Sequence, residues 1–276
     1  MGILNVTPDS FSDGGLYLDA EAAVARAVAM EAAGADIIDV GGESTRPGSA
    51  GISAGEEIRR ILPVIEKLRG KIRIPISVDT SKAEVAEAAA DTGAEILNDV
   101  TGLQNDPRIA EVTQRRKLGL ILMHMRGTPK TMQKTPFARD VIRDVTAGLR
   151  RSVALALKAG VARSQIIVDP GIGFGKSYEQ NCEIIRRLRD LAKLGFPLLV
   201  GTSRKSFLGA ALNQDAGSDR IWGTAATVAA SILQGAHIVR VHDVTEMAQV
   251  ARVTDVVRSS RLLRANNVEP TRSVSQ

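Results

Sequence analysis

The 276-residue sequence is short of the residues that several common functions require. One tryptophan, two tyrosines and five phenylalanines make up 3% of the chain, too few to build the stacking platforms that hold single-stranded nucleic acid. One cysteine, Cys182, excludes an internal disulfide and makes a reducing cytoplasm the expected compartment. Three histidines, His124, His237 and His242, show no zinc-ligand spacing. No run approaches the roughly 18 apolar residues of a membrane span, and the N-terminus has no basic and then apolar leader, so no membrane partner is expected. The net charge of +5 does not mark a nucleic-acid surface either. From Arg252 onward five arginines face Asp255 and Glu269, which gives +3 to that segment and leaves +2 for everything before it.

Against these absences stands a strong alternation. Apolar runs at 2–6, 35–40, 74–78, 95–100, 118–124, 165–168, 197–201 and 236–241 alternate with segments of helical period such as 20–33, 55–68, 82–92, 140–159 and 178–194. Gly34, Gly93 and Gly235 each stand where a helix would be capped just before the next strand. Eight strand-helix units leave no room for a second domain in this length. The reading is one α/β domain, a single (β/α)8 TIM barrel over 1–263, followed by a basic, flexible tail at 264–276. An open doubly wound sheet has the same periods and is the alternative.

The ends of these runs are polar. They are Asn5, Asp39, Asp79, Asn98-Asp99, Met123-His124, Asp169, Ser203-Arg204-Lys205-Ser206 and Arg240-Val241-His242-Asp243. Any one of them also reads as a helix cap or a turn. Together they describe the open face of a barrel, where catalytic groups collect. Carboxylates and amides on strands three, four and six suit a neutral, donor-rich heterocycle, and cations on strands seven and eight and at Arg46 suit an anion such as a phosphate. The run from Gly171 to Ser177 imitates a P-loop, but the first glycine of that pattern falls on Pro170, so nucleotide binding is not expected there.

With these segments in view, GILNVTPDSFSDGG (2–15), DVGGESTRPG (39–48), SVDT (77–80), LNDV (97–100), LMHMRGTP (122–129), DPGIGFGK (169–176), GTSRKSFLG (201–209) and RVHDV (240–244) closely resemble the dihydropteroate synthases of the pterin-binding barrel superfamily. They run in family order along almost the whole chain. The resemblance implies a transferase that condenses 6-hydroxymethyl-7,8-dihydropterin diphosphate with 4-aminobenzoate, giving 7,8-dihydropteroate and diphosphate in folate biosynthesis. By the same resemblance the catalytic set is Lys205, Arg240, His242 and Asp79. The pterin would lie on Asp79, Asn98, Met123, Asp169, Lys205 and Arg240, and the 4-aminobenzoate on Thr45, Arg46, Pro47, Phe174, Lys205 and Ser206. The diphosphate would meet Asn5, Arg46, Arg240 and His242, the last three as cations, with Mg²⁺ held at Asn5. Ser206 would add a helix N-terminus for the aminobenzoate carboxylate.

Two loops, 7–15 with Asp9, Ser10, Phe11 and Asp13, and 43–51, would be mobile and close over the site. Family members commonly form homodimers, and most carry a further N-terminal hairpin under the barrel, so the floor is expected to be less covered here. The DPGIGFGK segment has no insertion after Phe174, which implies sensitivity to sulfonamides as aminobenzoate mimics. The alternatives are a methyltetrahydrofolate-binding methyltransferase barrel, which has no use for the cations of strands seven and eight, and a non-catalytic pterin-binding paralogue.

Overall fold

A computed structural model of the chain describes residues 1–7, 16–45, 48–49, 51–128, 131–132, 138–212 and 220–259. The expected loop residues Asp9, Ser10, Phe11 and Asp13, the site residues Arg46 and Pro47, and the tail 264–276 lie outside the described residues. Among the described residues the strands are β1 (Gly2–Asn5), β2 (Ile38–Gly41), β3 (Ile76–Asp79), β4 (Ile96–Asp99), β5 (Gly119–Met123), β6 (Ile166–Asp169), β7 (Leu199–Val200) and β8 (Ile238–Val239). Strands β1 to β6 form a parallel sheet in chain order, and β7 and β8 a parallel pair. Isolated parallel bridges, Val168 with Leu198 and Gly2 with Val241, join the two sheets at both seams, so the strands follow one another around a ring.

The helices are α1 (Leu16–Ala32), α2 (Ala54–Leu68), α3 (Ala83–Thr92), α4 (Arg108–Arg116), α5 (Val141–Lys158), α6 (Tyr178–Arg186), α7 (Leu188–Ala192), α8 (Ser206–Leu212), α9 (Ile221–Leu233) and α10 (Val244–Ser259). Their starts follow from capping chemistry. Asp140 accepts the Arg143 amide (3.0 Å) to open α5, and Ser177 and Gln180 form a reciprocal capping box at α6. The single helix expected over 178–194 is split at Arg187, whose backbone leaves the helical region (φ −115°, ψ 22°). The break sends Leu188 and Leu191, both fully buried, into the core.

Strand alternation explains where the site comes from. Outward residues such as Leu4, Val40, Val78, Leu97, Leu122 and Val168 pack under the helices, each worth about 1.5–3 kcal/mol when fully buried. Inward residues form an apolar plug of Met1, Ile37, Ile96, Ile121, Ile167, Leu199 and Ile238. Two residues beyond Ile37, Ile96, Ile121, Ile167 and Ile238, on the same face, stand Asp39, Asn98, Met123, Asp169 and Arg240, while β1 and β7 continue with Ile3 and Gly201. The floor is hydrocarbon and the next layer is polar.

The first expected run began with its strand at Gly2 and the others one to three residues early, and those at 74–78 and 165–168 stopped one residue short of Asp79 and Asp169. Backbone pairing is indifferent to side-chain polarity, so the ladder runs on through Asp79 and Asp169.

Candidate active site

Register sets the uppermost inner row. Asn5 pairs with Gly41, Gly41 with Asp79, and Asp79 with Asn98, while Met123 pairs with Asp169 further round. The ends of β1, β3, β4, β5 and β6 therefore present Asn5, Asp79, Asn98, Met123 and Asp169 to one mouth, as the sequence implied. Lys205 and His242 come from the segments after β7 and β8, and Arg240 follows β8 directly.

One layer below Asp79 lies Asp39, which the sequence reading placed at a strand end but not in the site. It is fully buried, and its Oδ2 accepts hydrogen bonds from Asn98 Nδ2 (3.0 Å) and Arg240 Nε (2.6 Å). Arg240 also donates through Nη2 to Asp79 (2.9 Å), so one guanidinium spans two carboxylates from different strands. Burial works against its charge, but Asp39 and Asp79 outweigh it and hold its pKa above the ordinary value. Arg240 is thus a cation at the mouth, as expected, and its Nε and Nη2 engage Asp39 and Asp79.

Burial pushes the Asp79 carboxyl up to about 7, with Arg240 opposing and Asp39 reinforcing the shift. Asp169 is pushed up to about 6, again by burial, against the Gly171 amide that donates to its Oδ1 at 2.7 Å and against Lys205. Lys205 is half-buried, and its ammonium lies 4.1 Å from the centre of the Phe174 ring. Burial and the neighbouring Arg240 bring it down to about 8, with Asp169 and Asp79 opposing. The mouth holds acids and bases whose proton affinities have been drawn toward neutrality, which marks functional sites more often than structural ones.

His242 stands three residues beyond β8. Its Nδ1 lies 3.0 Å from the Ser203 hydroxyl, which also accepts the His242 backbone amide at 3.2 Å. In the tautomer where the hydroxyl donates to Nδ1, Nε2–H is left as a donor. Burial, Arg204 and Arg240 lower the imidazole to about 4, with Asp243 opposing, which favours its uncharged form. Arg204 turns instead to an ion pair with Asp243. Ser206 does open α8, but that helix has seven residues, so its dipole adds little beside the Lys205 charge.

Thr45 lines a cleft of about 590 Å³ beside Asp79, with Lys82, Val100, Thr101 and Met125 on its other walls. Lys82 ties Glu43, two residues before Thr45, to the fully buried Glu57 of α2. Met123 and Phe174 join Val100, Met125 and Met132 in an apolar cluster between β4 and the β6 loop. Among the described residues no three His, Cys, Asp or Glu side chains are placed to hold a metal. Asn5 contributes a single amide oxygen at the end of β1.

The sequence reading missed Asp39, Ser203 and Lys176 as working parts of this region. Asp39 had a signal, an acidic residue two before Gly41 on the inward face, but it becomes readable only once the register is known.

The description "Pterin binding enzyme" belongs to the family model that matches residues 1–242. A dihydropteroate synthase from Synechocystis sp. is 50% identical over 250 residues, which cover 91% of this chain and 86% of that one. The crystal structure of a Clostridium difficile dihydropteroate synthase in the presence of pteroic acid superposes with a TM-score of 0.87 at 46% identity, covering 93% of this chain and 95% of that one. A Yersinia pestis dihydropteroate synthase with a sulfonamide drug complex gives 0.88 at 42% identity and 94% of each chain. The constellation at the strand ends and these likenesses agree, and the chain belongs to the dihydropteroate synthases of the pterin-binding enzyme family.

Proposed function

We propose that the strand-end row carries the pterin half of the synthase reaction and the segments after β7 and β8 the anionic half. The observation that supports this most is the row itself: Asp79 and Asn98 on adjacent strands, Asp169 across the same mouth, and Lys205 beside it. A pterin ring presents adjacent ring and amino N–H groups along one edge. An ionised Asp169 accepts both, and Asp79 and Asn98 meet the remaining ring nitrogens, a match that discriminates strongly because unpaired buried groups are costly. Met123 packs on the ring face.

Condensation breaks the C–O bond between the pterin methylene and the diphosphate, and the bonding pair leaves with the diphosphate oxygen. Arg46, Arg240 and the Nε2–H of His242, with Lys205 beside them, meet the charge that grows there, which lowers the barrier. The pterin is left as a delocalised cation, the amine of 4-aminobenzoate attacks the methylene carbon, and the ammonium formed loses its proton to solvent. An aromatic amine attacking a cation needs no strong base, and none is required among these residues. Thr45, Pro47, Phe174, Lys205 and Ser206 hold the aminobenzoate. Mg²⁺ fits as a substrate-borne ion: Asn5 offers one hard oxygen, and this metal keeps most of its waters and phosphate ligands. It would supply further charge on the leaving diphosphate.

The test is direct. Purified protein given pterin diphosphate, labelled 4-aminobenzoate and Mg²⁺ is expected to form labelled 7,8-dihydropteroate, and a sulfonamide is expected to block it. A folded protein that forms no product refutes the reading. The working form is proposed to be a homodimer, because Trp222 on α9 (82% exposed) and Val253 and Val257 on α10 (65% and 66%) offer apolar surface for a second copy. Sedimentation at twice the 29.3 kDa chain mass checks it.

A further inference from the structure

The β6 loop runs between two lysines. Lys205 lies against its inner side, and Lys176 is buried behind it at 5% exposure. The Lys176 ammonium donates to the carbonyl oxygens of Phe174 (2.9 Å) and His124 (3.1 Å) and to His124 Nδ1 (3.1 Å). Three N–H donors meet three acceptors, so the buried ammonium is fully matched. Two of those acceptors belong to the residue that follows β5 and one to the loop that follows β6. The lysine is a tie between neighbouring strand ends.

His124 is itself immobile. Its backbone amide donates to the Asp169 carbonyl (2.9 Å), and a Cβ on Gly148 of α5 would fall 2.3 Å from its ring, so the ring has no space to turn. Its Nε2 faces the Asp144 carboxylate at 3.6 Å. With Lys176 as an ammonium, Nδ1 accepts from it and the ring proton sits on Nε2. Gly171, at φ +69°, passes so close that a Cβ there would fall 2.0 Å from the His124 carbonyl oxygen. Asn181 of α6 accepts the Gly173 amide (2.7 Å) and secures the far side of the same loop.

We propose that Lys176 is a positioning residue for the 4-aminobenzoate half of the reaction, holding the Phe174 carbonyl against the end of β5 and thereby setting the Phe174 ring under the Lys205 ammonium. The inference rests on the functional reading above. Lys176 reaches neither substrate. Its effect passes through one peptide unit to the ring that shapes the aminobenzoate pocket and stabilises the Lys205 charge.

Full-length Lys176→Met, Phe174→Leu and the double variant would be compared in steady-state kinetics with each substrate varied. Lys176→Met is expected to raise KM for 4-aminobenzoate about 10-fold while KM for pterin diphosphate moves less than about 2-fold, a change worth one decade in affinity against a fraction of one. The double variant is expected to be no worse than the worse single variant, since both act on one ring. An unchanged KM for 4-aminobenzoate, equal rises for both substrates, or additive effects would overturn the proposal. If Lys176→Met does not fold, the wild-type chain still decides: with only three histidines, ¹⁵N spectra below pH 7 should show His124 with Nδ1 bare and Nε2 protonated. A protonated Nδ1 would sink the inference alone, whereas a wild-type chain that makes no dihydropteroate would remove the functional reading beneath it.

Discussion

The two sides of the β6 loop hold the same ingredient in opposite states. Behind the loop, Lys176 has all its donors matched by protein acceptors, and burial draws it down to about 7 despite Asp169 and Asp144. In front of the loop, the Lys205 ammonium makes no hydrogen bond among the described residues and rests on the Phe174 ring. A third lysine, Lys82, resembles the first: two carboxylates, Glu43 and Glu57, hold it. Buried charge that is matched inside the protein fixes a loop in place. Charge left only partly matched at a cavity is available to a ligand, and the fold bears the desolvation meanwhile.

This contrast gives its strongest prediction at Lys205. Lys205→Ala should lower kcat/KM by about 10²–10³, the usual scale for removing a preorganised charge-stabilising group, while Tm stays level or rises. The sign follows from linkage: a lysine whose folded pKa is depressed contributes its full stability only above the unfolded value and loses it as pH falls toward about 8. At neutral pH the charge therefore opposes folding. A large fall in Tm for Lys205→Ala would break the contrast.

Lys82→Met should do the reverse. It strands the fully buried Glu57, and because Lys82 itself is partly exposed the loss is set at about 2–3 kcal/mol of unfolding free energy, at the low end for a broken buried pair. Denaturant unfolding measures it, and a variant as stable as wild type would show that the tie contributes nothing.

Next in size is pH. Protonation of Asp169 near 6 and of Asp79 near 7 removes acceptors for the pterin, and deprotonation of Lys205 near 8 removes a cation. The profile of kcat/KM should therefore fall by about tenfold per unit between the two carboxyl values, about a hundredfold per unit below both, and about tenfold per unit above the lysine limb. Lys205→Ala should erase the upper limb and keep the lower one, and an upper limb that survives would reassign it. The smallest effect is expected at His242. His242→Gln keeps a neutral donor, so activity should drop only about 3- to 10-fold, the scale of one neutral hydrogen bond. A loss as large as that of Lys205→Ala would mean that the imidazole works as a cation after all.

Much of this was legible in the sequence because apolar runs end where the polar layer begins: Asn5, Asp79, Asn98 and Asp169 could be read from the runs themselves. Asp39 was not readable as a site residue, since its inward direction depends on pairing with Ser77 and its partner Arg240 lies 201 residues away. Lys176 stood in a stretch that imitates a phosphate loop, and its true partners are largely backbone carbonyls, which leave no trace in residue identity. The charge of His242 depends on neighbours brought in by other strands.

Pterin binding at the mouth depends on the strand-end carboxylate Asp169. Conversion of labelled 4-aminobenzoate by wild type and by Asp169→Asn, side by side with Mg²⁺ and pterin diphosphate, tests it most directly. The expected result is labelled dihydropteroate from wild type and a fall of about 10²-fold or more in kcat/KM, with the fold retained, when one charged acceptor of a buried bidentate pair is lost. Equal turnover by the two proteins, or none from folded wild type, would contradict it.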